Sequence, residues 1–451
     1  MIRGGTVVDA SGERVADVVV RGGLVAEVGP DLAVPRGATV LEAGGCLVSP
    51  GLVDLHTHLR QPGAEDSETV ETGARAAALG GFTAVVAMPN TDPPVDSAAV
   101  ALEVLALGEG AMCRVAVAGA ITMGRAGERL APMGELASLG VRLFTDDGTG
   151  VQDGAVMRRA LEYARGFDVT LAQHCEDEAL ARGGHMHEGE WSSRLGVPGI
   201  PAEAEEMMVA RDIALTRLTG SRMHFLHLST ARSAALLAAA KAEGLAVTAE
   251  VTPHHLTLTH AELAGYDPVF KVNPPLRVQA DVAALRAACG DGTLDAVATD
   301  HAPHAPERKD DTLDAAPPGM LGLQTALPVV LGALCGSAGN GAGGDGGGRH
   351  AAPRHGAPAM TRAAVLGLLS WRPARIAGLA RDQGGDQGGP IEPGAPGNIC
   401  VIDPAATWEV DPVRLASRSR NTPWAGRAMT GQVRHTLFRG EPVVVDAEAQ
   451  R

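Results

Sequence analysis

The chemically loaded feature of this sequence is the repeated placing of histidine and aspartate just after short apolar runs. The first instance reads Asp54-Leu55-His56-Thr57-His58-Leu59-Arg60-Gln61-Pro62-Gly63. On a strand, side chains alternate with period two, so the imidazoles of His56 and His58 point to one side and can reach one metal ion. An isolated H-x-H is a weak signal, but further residues join it. His174 follows an apolar run in Leu171-Ala-Gln-His-Cys-Glu-Asp177, His227 follows another in Phe225-Leu-His-Leu-Ser-Thr230, and Asp300 a third in Ala298-Thr-Asp-His-Ala-Pro-His304. Four histidines and an aspartate so placed make poor core residues, because each would need its own buried partner. Metal binding is the chemistry they suit. Phe144-Thr145-Asp146-Asp147-Gly148 adds two carboxylates. Asp-Asp-Gly also suits a helix N-cap or a turn. Its position between the H-x-H and His174 makes one of the two aspartates a candidate bridge between two cations, whose mutual repulsion a shared anion relieves.

The elements that must position these groups can be read from the apolar runs. They are Leu52 to Leu55, Phe82 to Ala87, Arg114 to Ala120, Val141 to Phe144, Val169 to Ala172, Met223 to Leu226, Ala246 to Val251 and Leu294 to Ala298. Most are separated by helix-forming stretches such as Glu68 to Leu79, Gly154 to Ala164, Pro201 to Leu218 and Arg232 to Glu243. Continuous apolar strands alternating with helices imply a parallel sheet, and eight such units match an α/β fold of the (β/α)8 TIM-like barrel type. A doubly wound open sheet is the alternative. In a barrel, residues just after the strands gather at one end, where such folds build their sites.

The ends of the chain have a different texture. Thr6 to Val8, Val18 to Val20, Leu24 to Val28 and Thr39 to Leu41 are short β-like runs broken by Gly, Asp and Pro, and the pattern returns in Asn398 to Ile402, Gly431 to Phe438 and Pro442 to Val445. Neither end has enough strands to bury a face alone. The expectation is a small β-sandwich domain from residues 1–50 and 390–451, with the barrel at 51–389. Residues 332–357 contain GAGGDGGG and read as a mobile surface loop.

Composition narrows the function further. Of 451 residues, 45% are hydrophobic, 20% charged and only 3% aromatic, with a net charge of −15. The chain can bury a sizeable core, which must be built of Ala, Val and Leu. Few stacking platforms and a strongly negative charge argue against nucleic acid and anionic membranes as partners. Cys46, Cys113, Cys175, Cys289, Cys335 and Cys400 form no C-x-x-C pair and read as scattered core thiols of a reducing compartment. The first residues lack a signal-peptide pattern, and no window reaches the roughly 18 apolar residues of a membrane span. A cytoplasmic protein is expected.

The set DLHTHLRQPG, MPNT, FTDDG, HCED, HLST, EVTPHH, VNPPLR and TDHAPH resembles the dihydroorotases of the amidohydrolase superfamily, in particular the bacterial long-chain (type I) class with an aspartate bridge, over about Gly51 to Thr325. The resemblance implies that His56 and His58 bind one Zn2+ with Asp300, and that Asp147 bridges to a second held by His174 and His227. Asp147 is taken over Asp146 because its distance to the HCED histidine is similar to the family's. Arg60, Asn90 and Asn273 resemble, with His58, the groups that hold the substrate's carboxylate and ring edges, and His304 completes the pocket; a guanidinium fork suits a carboxylate. The implied reaction is reversible cyclisation of N-carbamoyl-L-aspartate to L-dihydroorotate and water in de novo pyrimidine (UMP) synthesis. A metal-bound hydroxide would act on the ring amide in the hydrolytic direction, with Asp300 as general acid/base. A homodimer and an association with aspartate transcarbamoylase are compatible with the resemblance, and the sequence leaves both open.

Some positions depart from the pattern. The family's Pro-Phe-Gly and GLET-like segment stand here as Pro317-Pro318-Gly319-Met320 and Gly322-Leu-Gln-Thr325, so substrate contacts from Pro318 and Gly319 are expected by position only. Gln61 stands where Glu is commoner. His254 and His255 suit either support of the metal ligands or plain packing, and His185 and His187 are expected to be solvated. Dihydropyrimidinases and hydantoinases resemble one another in bridging their metals with a carboxylated lysine. The only lysines here are Lys241, Lys271 and Lys309, none between His58 and His174, which excludes that bridge on position. Allantoinases are disfavoured for the same reason. A non-catalytic scaffold for a transcarbamoylase would be expected to have lost ligands, and here every ligand position is filled.

Overall fold

The eight apolar runs become eight parallel strands, Leu52–Thr57, Phe82–Ala87, Arg114–Val117, Leu143–Phe144, Thr170–Gln173, Met223–Phe225, Val247–Val251 and Ala296–Val297. They fall into a three-stranded and a five-stranded sheet. Single parallel bridges join the two at both seams, Gly119 to Phe144 and Thr57 to His301. At those seams Thr145 N–H donates to Gly119 O at 2.8 Å and His58 N–H to His301 O at 2.9 Å. The ring is therefore closed, and the open-sheet alternative is excluded. The computed structural model describes residues 1–335 and 359–451. All but the first four residues of the glycine-rich stretch lie outside these, and Gly332 to Leu334 belong to the helix Ala326–Leu334 rather than to a loop.

Strand periodicity explains how so few aromatics fill the barrel. Val53, Leu55, Ala84, Val86, Ala118, Leu143, Ala172, Ala296 and Ala298 form one buried cluster, while the alternating residues Leu52 and Val85 join the larger cluster packed under the helices, as does Phe82, which lies before the register shift between the first two strands. Small side chains suffice inside because the barrel is narrow. The helices begin where the sequence offers caps. Thr69 accepts from Thr72 N–H ahead of Val70–Leu79, Asp153 from Ala155 and Val156 N–H ahead of Gly154–Ala164, and Thr230 from Ser233 N–H ahead of Ala231–Ala242. Glu203–Thr219 ends at Gly220 in the left-handed conformation, φ 64°.

Strands from the two chain ends form one continuous nine-stranded sheet, in which Leu47–Pro50 pairs antiparallel with Ile399–Glu409. Alternation along Ile399–Ile402 serves both neighbours. Ile399 and Val401 pack with Ile2, Val18 and Val48 in the sheet's own core, whereas Cys400 and Ile402 join the barrel's outer core. The sheet is thereby fastened beside the first barrel strand. Among the described residues no helix is long and apolar enough to cross a membrane.

Candidate active site

Six side chains from five barrel strands converge at one end of the barrel. His56 and His58 lie at and just after the end of Leu52–Thr57, Asp147 follows Leu143–Phe144, His174 follows Thr170–Gln173, His227 follows Met223–Phe225, and Asp300 follows Ala296–Val297. Asp147 sits in the middle: its Oδ1 lies 3.4 Å from His56 Nε2, 3.5 Å from His174 Nδ1 and 3.6 Å from His227 Nε2, and its Oδ2 lies 3.6 Å from His58 Nε2. Asp300 Oδ1 is 3.0 Å from His58 Nε2 and 3.5 Å from His56 Nε2. All six residues are buried. His56, His58 and Asp147 form one trio able to hold a cation, and Asp147, His174 and His227 form a second, sharing the carboxylate.

The protonation pattern fits cations at this place. Burial works against the charge of Asp147, yet the imidazoles of His56, His174 and His227 crowded around it hold its carboxyl well below the usual range. For Asp300 burial is likewise outweighed by His56 and by the bond from His58. The buried His56 Nε2 has no hydrogen-bond partner, and His174 Nδ1 faces His227 Nε2 at 3.0 Å, a contact in which only one nitrogen can carry the proton. Lone pairs aimed at one another and at anionic oxygens, away from water, suit a metal ion.

The two aspartates of FTDDG divide their work. Asp146 Oδ1 accepts from Ile121 N–H at 2.8 Å and Thr122 N–H at 3.0 Å, and its Oδ2 accepts from the Thr122 hydroxyl. It ties the fourth strand's end to the preceding loop and leaves Asp147 to face the histidines. Backbone conformation at the rim is unusual in the same way, with Arg60 (φ 60°), His227 (φ 31°) and Asp300 (φ 48°) in the left-handed region that non-glycine residues avoid.

A carboxylate that sequence reasoning did not single out lies beneath. Glu250, fully buried at the end of the seventh strand, accepts from His56 Nδ1 at 2.9 Å and from His224 Nε2 at 3.1 Å. Burial opposes its ionisation, but the bonds from His224 and His56 bring its carboxyl down to about 2. With Nδ1–H committed to Glu250, His56 turns its Nε2 lone pair toward Asp147 and Asp300. Glu250 opens the EVTPHH motif, where only the histidines drew attention. Asp54 acts similarly on the backbone, accepting from His56 N–H at 3.2 Å and Thr299 N–H at 3.0 Å, so that one side chain holds together the first and eighth strands, which carry His56, His58 and Asp300. Burial pushes it up to about 7.

The remaining candidates line the rim. Asn90 is drawn into the cluster: its Oδ1 accepts from His58 Nδ1 at 2.9 Å and its Nδ2 reaches Asp147 Oδ2 at 3.4 Å. Arg60 donates Nε–H to Pro303 O at 3.1 Å. Asn273 Nδ2 donates to Glu176 at 3.1 Å, while its buried Oδ1 has no partner. His304 donates Nε2–H to Pro318 O at 2.8 Å, and burial followed by the charges of Arg60 and Lys309 pushes it down to about 3, so this imidazole is neutral. Pro318 is exposed and Gly319 buried; a Cβ at Gly319 would lie 2.9 Å from His304 Nε2. His255 is a packing residue, with Nδ1 on Thr252 Oγ1 and Nε2–H on Pro274 O, whereas the buried His254 Nε2 is unpartnered. The expectation of a solvated His187 is corrected: it is buried against Arg277, whose Nη1 lies 3.2 Å from its Nδ1, because the segment Met186–His187 pairs with Gly199–Ile200 and is covered.

Comparison with known proteins agrees with this geometry. The family model described as dihydro-orotase-like matches residues 45–233. A dihydroorotase of Anaeromyxobacter dehalogenans is 48% identical over 100% of this chain and 99% of its own length. Those of Streptomyces coelicolor and Mycobacterium tuberculosis are 46% and 47% identical, covering 99% and 97% of this chain and 99% and 96% of theirs. Among solved structures, an L-hydantoinase (dihydropyrimidinase) from Arthrobacter aurescens superposes with a TM-score of 0.83 at 23% identity over 100% of this chain and 97% of its own. A dihydropyrimidinase from Brevibacillus agri gives 0.81 at 24% over 100% and 95%. These two share the fold, a barrel with a separate sheet. With full-length identity of 46–48% to proteins named for one activity, the chain belongs to the dihydroorotase family.

Proposed function

We propose that this chain catalyses the reversible interconversion of L-dihydroorotate plus water with N-carbamoyl-L-aspartate in pyrimidine synthesis. The observation that carries the reading is Asp147, one carboxylate within 3.4–3.6 Å of four histidine nitrogens. His56, His58 and Asp300 would hold one Zn2+, His174 and His227 a second, with Asp147 between them. Bound there, the metal supplies Lewis acidity, which acidifies water and polarises a carbonyl oxygen. The chain's own groups do the rest. Arg60, whose guanidinium is anchored through Nε, presents its remaining N–H donors to the substrate carboxylate. Asn273, with an unpartnered Oδ1, and neutral His304 hold the ring edge, and Gly319 leaves room beside His304 that a Cβ would fill. Asn90 keeps His58 oriented. The Asp300 carboxylate, anionic at neutral pH, takes a proton in the hydrolytic direction and returns it to the leaving ring nitrogen; in reverse the same oxygen assists ring closure.

The fold neighbours are named hydantoinase and dihydropyrimidinase, which makes a dihydropyrimidinase the second reading. Lysine placement disfavours it. Lys241 pairs with Asp295, and Lys271 and Lys309 bond to backbone carbonyls, so none enters the cluster. The deciding assay offers purified protein L-dihydroorotate and dihydrouracil and measures zinc on the same sample. Turnover of dihydroorotate alone, with about two metals per chain, is expected; turnover of dihydrouracil alone would overturn the reading. In the same reading the protein works in the cytoplasm, and light scattering with and without aspartate transcarbamoylase tests the homodimer and that association.

A further inference from the structure

Lysine is nearly absent from this chain. Of 38 basic Lys and Arg side chains, Lys241, Lys271 and Lys309 are the only lysines. Two of the three are buried, Lys271 at 7% and Lys309 at 9% exposure, and neither has a carboxylate partner among the described residues. Their ammonium groups are satisfied by backbone carbonyls instead. Lys309 Nζ donates to Pro268 O at 2.8 Å, Pro317 O at 2.9 Å and Lys271 O at 3.4 Å, which uses all three of its protons. Lys271 Nζ donates to Leu313 O at 2.8 Å and Asp314 O at 3.0 Å. A compact ammonium fits a cage of converging carbonyls; a planar guanidinium with five donors does not.

The cage joins three segments, each leading to one of the pocket residues named above. Pro268 and Lys271 precede Asn273, Lys309 ends the short helix Pro306–Lys309 that follows His304, and Pro317 precedes Pro318 and Gly319. Neighbouring bonds make the same join, since Gly319 N–H donates to Lys271 O at 2.9 Å and His304 to Pro318 O. The His304 and Gly319 segments are also joined by the His301–Met320 bridge and by Asn421, which donates to Ala302 O and Gly319 O and accepts from His304 N–H, whereas the hydrogen bonds that tie the Asn273 segment to them are those of Gly319 N–H and of the two lysines. We propose that the Lys309 ammonium is a positioning group that fastens the Asn273, His304 and Gly319 segments into one wall of the substrate pocket. Burial, and then repulsion from Lys271, bring Lys309 down to about 7, with Asp267 pulling the other way, so the group is held under electrostatic cost and the carbonyl cage is what offsets it.

The proposal rests on the dihydroorotase reading for the word substrate, and two measurements on the zinc-loaded protein keep the two claims apart. Hydrogen–deuterium exchange compares wild type with Lys309→Met. Peptides covering 304–321 and 266–275 are expected to exchange at least about tenfold faster in the variant, while the first barrel strand is unchanged. Steady-state kinetics with L-dihydroorotate should show KM raised about tenfold and kcat within about threefold, because the wall binds substrate while the metal-side groups are untouched. Lys309→Gln, which keeps two N–H donors, is expected to fall between the two in both measurements, and it stands in if Lys309→Met does not fold. Unchanged exchange overturns the fastening whether or not the protein turns over dihydroorotate. Faster exchange with unchanged KM overturns the link to the pocket. A wild type inert toward dihydroorotate defeats the functional reading instead, and exchange alone then decides the clamp.

Discussion

Replacing Glu250 by Gln should loosen metal binding without touching a metal ligand. In the native chain one buried carboxylate receives His56 Nδ1 at 2.9 Å and His224 Nε2 at 3.1 Å. The amide keeps one acceptor oxygen but loses the charge, and its NH2 group must face one of two ring nitrogens that now carry hydrogen. His56 then keeps its place only by adopting the other tautomer or by rotating, and either takes the Nε2 lone pair away from Asp147 and Asp300. Supporting groups of this kind are worth about 10–100-fold in metal affinity, or about 1.4–2.8 kcal/mol. Glu250→Ala should be worse for the fold, since removing one partner of a buried charged set costs about 3–5 kcal/mol. The assay is competition for zinc between apo-protein and a chromophoric chelator at pH 7, with a urea melt of each variant. An affinity for Glu250→Gln within twofold of wild type would refute the claim that this carboxylate sets the His56 tautomer.

Further outcomes follow from the same geometry. Asp147→Asn should drop metal content below two per chain and cut turnover by more than the 10–100-fold expected for a supporting group, whereas Asp146→Asn should retain both metals and lose about 1–3 kcal/mol of stability, read by elemental analysis and denaturant unfolding. Asp300→Asn should keep most of its metal but lose turnover; near-normal turnover would defeat its proton-transfer role. Burial, and then the charge of His227, bring His255 down to about 3, so the folded state prefers the neutral ring. The unfolded chain binds that proton first as pH falls below about 6.5, and stability is lost on acidification toward pH 3, by at most roughly 5 kcal/mol. The urea midpoint of wild type should therefore fall more steeply between pH 6.5 and 4.5 than that of His255→Gln, and equal slopes would show that the ring titrates normally.

The barrel was legible because its signal is redundant. Each of the eight runs is continuous and apolar, as a strand buried on both faces must be, and the split of Val53 and Leu55 from Leu52, and of Ala84 and Val86 from Val85, needs only period-two alternation. Closure was not legible in detail. The seams at Gly119 and at Thr57–His301 are single bridges at or just past the ends of strands, where the apolar pattern carries no sign of pairing. Gly119 hints at its role only through geometry, since a Cβ there would lie 2.6 Å from Phe144 Cε1 at the seam. The pairing of Leu47–Pro50 with Ile399–Glu409 joins segments about 350 positions apart, where similarity of texture suggested a shared sheet but could not set its register.

At the site, what was legible follows the kind of contact each residue makes. The six residues that converge at the strand ends advertise themselves, because imidazoles and carboxylates recurring after apolar runs have few other uses. The groups that hold them do not. Glu250 touches the rings of two histidines and the backbone N–H of His227, Asp54 mostly backbone N–H, and Lys309 only backbone carbonyls, and a contact with backbone imposes no complementary residue type on its partner. Sequence shows a pair when both members are chemically marked; it hides a pair when one member is a peptide group that every residue owns. The same logic bears on Asp146 and Asp147, which the family resemblance divides by position and the structure divides by contact. Both are identical in type and adjacent in the chain, yet one satisfies the N–H groups of Ile121 and Thr122 and the other faces four imidazoles. That division is itself mechanistic: by spending its charge on the loop, Asp146 fixes the backbone from which Asp147 reaches the centre of the cluster, so the loss of Asp146 should be felt in the stability of the fold and the loss of Asp147 in metal content.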